Sequence, residues 1–70
     1  MVEVFKTNVN CPDNALRIVK ALSEHLPHAK INFDLQDVDN ILRIEADCIA
    51  NNAIVGLMNE MCYECEVLPD

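Results

Sequence analysis

The chain reads as an α+β protein, a two-layer sandwich in which an antiparallel sheet carries two helices on one face. Three observations lead there. Apolar and polar residues alternate in four short segments, apolar residues recur at helical spacing in two longer ones, and these segments follow one another in the order βαββαβ. With 70 residues there is room for one hydrophobic core, so the span 1–70 is read as a single domain without linkers or low-complexity tracts.

The first strand is expected over residues 2–9, with Phe5, Thr7 and Val9 on one face and Val4, Lys6 and Asn8 on the other. Pro12 has no backbone N–H to donate and suits the first helical position, which makes Cys11 the expected N-cap. Asp13 follows where the helix dipole favours negative charge. Ala15, Ile18, Val19, Leu22 and Leu26 form one stripe of the first helix, and Pro27 stops it. Ile31, Phe33 and Leu35 alternate with Lys30, Asn32 and Asp34 in a half-buried second strand.

Residues 36–40 form a polar turn, and Leu42, Ile44 and Ala46 alternate with Arg43 and Glu45 in the returning strand of a hairpin. The second helix, opened by Cys48, buries Ala50, Ala53, Ile54, Leu57, Met58 and Met61. Gly56 inside it costs roughly 1 kcal/mol against Ala and is read as a close-packing residue. A short last strand alternates Cys65 and Val67 with Glu64 and Glu66.

Composition excludes several classes. A hydrophobic share of 51% belongs to a globular chain, and with only three aromatic residues (Phe5, Phe33, Tyr63) the core must be mainly aliphatic. The net charge of −7, with basic residues scattered at Lys6, Arg17, Lys20, Lys30 and Arg43, argues against nucleic acid and against an anionic membrane surface. It leaves a protein partner with a basic surface open, beside plain solvation. No apolar run spans a bilayer, so membrane insertion is not expected, and with no signal-peptide pattern the expected location is cytoplasmic. Cys11, Cys48, Cys62 and Cys65 are then expected as reduced thiols. Asp34, Asp37 and Asp39 lack the central glycine and terminal glutamate of a calcium loop and read as a solvated turn. No Ser/His/Asp set, phosphate loop or paired-carboxylate cleft is visible, so the chain is not read as an enzyme.

Two segments carry a family resemblance: Val9-Asn10-Cys11-Pro12-Asp13-Asn14 after the first strand, and Met61-Cys62-Tyr63-Glu64-Cys65-Glu66-Val67 at the end. With them the chain resembles the heavy-metal-associated (HMA) domains of copper chaperones and metal-transport ATPases over essentially its whole length. The resemblance implies a ferredoxin-like sandwich with strand order 4-1-3-2. It also implies a soft-metal site where the family carries Met-x-Cys-x-x-Cys, and Cu(I) or a related ion as cargo for a metal-transport or other protein partner. Here the motif is degenerate. Cys11 matches the first ligand, Asn14 replaces the second, and Val9 replaces the methionine. The family commonly has Gly-Tyr before its last strand, so Tyr63 falls on the loop beside the metal site. The chain also resembles small stand-alone proteins of this scaffold whose metal motif is lost.

In that strand order the start of the last strand adjoins the end of the first, which brings Cys62 and Cys65 toward Cys11. Three thiols there suit Cu(I), or Zn(II) with a further ligand. Against this stands plain packing: free cysteine behaves as a small hydrophobe, and Cys65 falls on the inward phase of its strand. A Cys62–Cys65 disulfide is a further alternative, although the pair follows a helix and does not open one, unlike redox-catalytic pairs. Cys48 belongs to the opposite end of the sheet together with His28. His25, 14 residues beyond Cys11 and so about 21 Å along the helix, cannot join it. Two functions follow. One is a metal-chaperone-like domain using Cys11 with Cys62, or with Cys62 and Cys65 together, the loop residues Asn14 and Tyr63 lying over the ion. The other is an interaction module whose metal site is lost, associating through its outer sheet face or an edge strand, as a homodimer or with another protein.

Overall fold

A computed structural model describes residues 1–69; residue 70, the last of the expected domain, lies outside the described residues. The elements are β1 (Val2–Thr7), α1 (Pro12–His25), β2 (Lys30–Asp34), β3 (Ile41–Glu45), α2 (Asn51–Glu60) and β4 (Cys65–Val67). The four strands form one open sheet in the order β2-β3-β1-β4, and every neighbouring pair is antiparallel.

The register carries the two-residue period of the sequence across the sheet. Phe33 lies opposite Leu42, Leu42 opposite Phe5, and Phe5 opposite Val67, so one row runs across all four strands on one face. Ile31 opposite Ile44 begins a second row. The helices cover this face. Ile18 and Leu22 of α1 and Ile54 and Met58 of α2 join Phe5, Leu42 and Ile44 in a single core whose members are almost fully removed from solvent. The opposite face presents Val2, Val4 and Lys6 on β1 beside Arg43 and Glu45 on β3, and no helix among the described residues covers it.

Helix α1 begins as its sequence dictates. Pro12 holds the first position and Cys11 is the N-cap in extended conformation (φ −116°, ψ 125°), its carbonyl accepting the first helical bond from Ala15 N–H at 2.9 Å. The Cys11 side chain makes no capping hydrogen bond. The helix ends at His25, two residues before Pro27, with Leu26 N–H closing on the Leu22 carbonyl.

The structure departs from the sequence reading by one residue at the ends of β2, β3 and β4, where Leu35, Ala46 and Glu64 fall outside the strands, and by more at three places. The strand β1 ends at Thr7, two residues early, because the Thr7 hydroxyl accepts the Val9 N–H at 3.2 Å and turns the chain. Val9 is still wholly buried, so its inward phase was a matter of packing and not of strand pairing. Helix α2 starts at Asn51 with Ala50 as N-cap, so Cys48 does not open it but lies exposed in the loop before it. Ala50 and Ala53 are also exposed, and Ile49, outside the helix, fills the core in their place. Gly56 is not a close-packing residue: a β-carbon there would meet no atom within 4 Å.

Candidate functional site

The chain crosses one end of the sheet three times: in the turn from β1 into α1, in the β2–β3 hairpin, and in the turn from α2 into β4. Thr7 ties the first two together. Its N–H donates to the Asp39 carbonyl at 3.1 Å, and its buried hydroxyl donates to the Asn40 carbonyl at 2.6 Å while accepting from Val9. A buried hydroxyl with both roles filled is satisfied, which explains a polar side chain in an otherwise apolar row. The hairpin is shaped by its own acids. Asp34 Oδ1 accepts from Gln36 N–H at 3.1 Å and Asp37 Oδ1 from Asp39 N–H at 2.9 Å, two Asx turns that give these carboxylates structural work on the backbone. Asn40 closes the hairpin with φ 47°, a left-handed conformation that Asn tolerates.

The third crossing is joined to the first by Asn8, whose Oδ1 accepts the Glu64 N–H at 2.9 Å. Cys65 lies opposite Thr7 in the β1–β4 ladder, three residues after Cys62, and Cys11 follows Thr7 by four residues. Cys11, Cys62, Cys65, Tyr63 and Asn14 therefore all belong to this end of the sheet.

Their environments differ. Cys65 is half-buried and packs against the core, and desolvation raises its thiol from an ordinary value of 9.0 to about 11, because burial penalises the charged thiolate. Cys11 is half-exposed and Cys62 exposed. All four cysteines are free thiols, so Cys62 and Cys65 form no disulfide. Among the described residues no three His, Cys, Asp or Glu side chains converge closely enough to hold a metal ion. The three thiols share an end of the sheet without forming a three-ligand group.

Cys62 carries a feature that sequence reasoning missed. Cys62 N–H donates to the Asn59 carbonyl at 3.0 Å and Tyr63 N–H to the Met58 carbonyl at 2.9 Å, while Cys62 itself has φ 69°. This is a Schellman motif, in which the residue after the C-cap turns left-handed and the next one packs back on the helix. Tyr63, partly buried against the core cluster that contains Met58, supplies that packing contact. Glycine is the usual residue at the left-handed position; a residue with a β-carbon pays on the order of 1 kcal/mol there. The sequence signal was available: Met61-Cys62-Tyr63 ends a helical stripe without the glycine that usually follows a helix C-cap.

At the opposite end of the sheet a cleft of about 410 Å³ is lined by the α1–β2 loop with His25 and His28, by Met1, and by the β3–α2 loop with Asp47 and Cys48. The expected neighbourhood of Cys48 and His28 is present, without a ligand set of three. No helix among the described residues is long and apolar enough to cross a membrane.

No family model, curated protein or solved structure matches this chain. Its function therefore rests on the chemistry of its own residues.

Proposed function

We propose that the protein is an HMA-like, ferredoxin-like domain that carries a soft monovalent metal ion, Cu(I), at the thiol end of its sheet. Cys11 and Cys62 are the two ligands, and Cys65 is a packing residue. One observation carries this reading: Cys62 holds a left-handed backbone position that folding alone would fill with glycine. A side chain kept at an energetic cost is kept for what it does, and an exposed thiol at this end offers a soft ligand. In the family that the chain resembles, a glycine commonly stands there, so the thiol given up at Asn14 is offset by one gained at Cys62. Two thiolates suit two-coordinate Cu(I), whereas the four-coordinate demand of Zn(II) finds no further ligands among the described residues. Tyr63 and Asn14 flank the ion, and a protein partner with a basic surface in the cytoplasm is the recipient that the net charge of −7 favours.

The test is titration of the reduced protein with Cu(I) against a competing chelator. One equivalent should bind; Cys11→Ser and Cys62→Ser should each abolish uptake, while Cys65→Ser and Cys48→Ser retain it. A second reading is supported by the desolvated Cys65 thiol and the missing third ligand: an interaction module whose metal site is lost. Absence of stoichiometric uptake by the unaltered protein would decide for that reading.

A further inference from the structure

An open sheet has two edges, and here they differ in how they would meet a copy of themselves. The edge strands are β2 and β4. Among the described residues each offers backbone N–H and C=O groups without a strand neighbour on one side, the usual template for strand addition. The β4 edge is three residues long, and a two-fold antiparallel pairing centred on Glu66 would set Glu66 against Glu66 of the second copy, with Cys65 opposite Val67. Like charges face each other there, and the pairing is discouraged.

The β2 edge is self-complementary. Its five residues read Lys-Ile-Asn-Phe-Asp. Centred on Asn32, the same two-fold operation sets Lys30 opposite Asp34 of the second copy twice over, Ile31 opposite Phe33, and Asn32 opposite Asn32. Lys30, Asn32 and Asp34 are exposed and share the outer face of the sheet, so the opposite charges meet in solvent-facing pairs. On the helix face Phe33, only partly buried in one chain, is covered by the second copy's Ile31, and the apolar row Val67–Phe5–Leu42–Phe33 continues into the next sheet. The pairing holds whichever set of backbone groups faces outward, since opposed residues in this register have the same parity.

We infer that two copies of this chain associate edge to edge through β2, joining their four-stranded sheets into one. The contact is short and each copy carries a charge of −7, so the dimer is a weak, reversible one at ordinary salt. The inference does not depend on metal, because β2 contains none of the proposed ligands.

Sedimentation of the metal-free, reduced protein at about 0.15 M salt over rising concentration tests it. The unaltered protein should move from monomer to dimer. Lys30→Asp and Asp34→Lys should each weaken self-association roughly tenfold or more, because two attractive pairs become two repulsive ones. An equimolar mixture of the two variants should associate again, one chain then presenting two acids and the other two bases, and the Lys30→Asp/Asp34→Lys double variant should self-associate as the unaltered protein does. Restoration on mixing also establishes that both variants fold. A monomer at every soluble concentration, single variants that dimerise unchanged, or a mixture that stays monomeric would each overturn the inference.

Discussion

The two ends of the sheet are built differently. The thiol end is laced together: Thr7 bonds the hairpin and the first turn, and Asn8 bonds the loop that enters β4. At the cleft end, the Met1 carbonyl accepts from Ala46 N–H and the Leu26 carbonyl from Ala29 N–H, and no side chain bridges the loops among the described residues. Cys48 stands exposed in that end while the other three cysteines lie in the laced one. Constraint at one end and openness at the other teach where a site can be held: a ligand pair must be kept within a fraction of an ångström, which a laced end can do.

Breaking the lacing should have the largest effect. Thr7→Val keeps the shape but strands the Val9 N–H and the Asn40 carbonyl, and should cost about 2–3 kcal/mol in denaturant unfolding. Cys48→Ala at the open end should stay within about 0.5 kcal/mol. Equal losses would mean that the two ends do not differ as described.

A smaller effect of opposite sign is expected from α2, whose glycine stands in the wrong place for stability. Gly56 sits exposed in the helix with open space around it, and Cys62 sits at the left-handed position that glycine favours. Gly56→Ala and Cys62→Gly should therefore each stabilise the fold by about 0.5–1 kcal/mol, read as a higher denaturant midpoint. Cys62→Gly should at the same time lose Cu(I) uptake. A loss of stability in Cys62→Gly would show that the thiol supports the fold.

A further effect, confined to alkaline pH, separates the cysteines by titration. The folded Cys65 keeps its proton up to about 11, whereas the unfolded thiol gives it up near 9.0, so above that lower value the unfolded state binds fewer protons. Stability should therefore decline as pH rises between these values, and Cys65→Ala should remove that part of the slope. Alkylation of the folded protein should likewise reach exposed Cys48 before Cys65. Simultaneous modification would contradict the packed environment of Cys65.

Most of the framework was legible in the residues, for reasons of period. Strict alternation in 31–35 and 42–46 and the stripe Ala15–Ile18–Leu22 are set by burial on one face, and the described core uses them. Pro12 and Pro27 bracket α1 because proline acts locally, through its own missing donor and its neighbour's backbone. The start of α2 was misread because Ala50 and Ala53 are small enough to fit the stripe without being needed in the core, while Ile49 reaches it from the loop. At the thiol end, topology carried the cysteines to one end, but convergence depends on side-chain directions that no spacing encodes. The strain at Cys62 was visible only as a missing glycine, and the lacing by Thr7 joins residues 33 positions apart.

Tyr63 has a consequence for how this protein can be watched. The chain holds one tyrosine and no tryptophan, and that tyrosine lies between Cys62 and Cys65, partly shielded against the helix. Its ultraviolet emission is thus a native optical probe seated at the thiol end of the sheet.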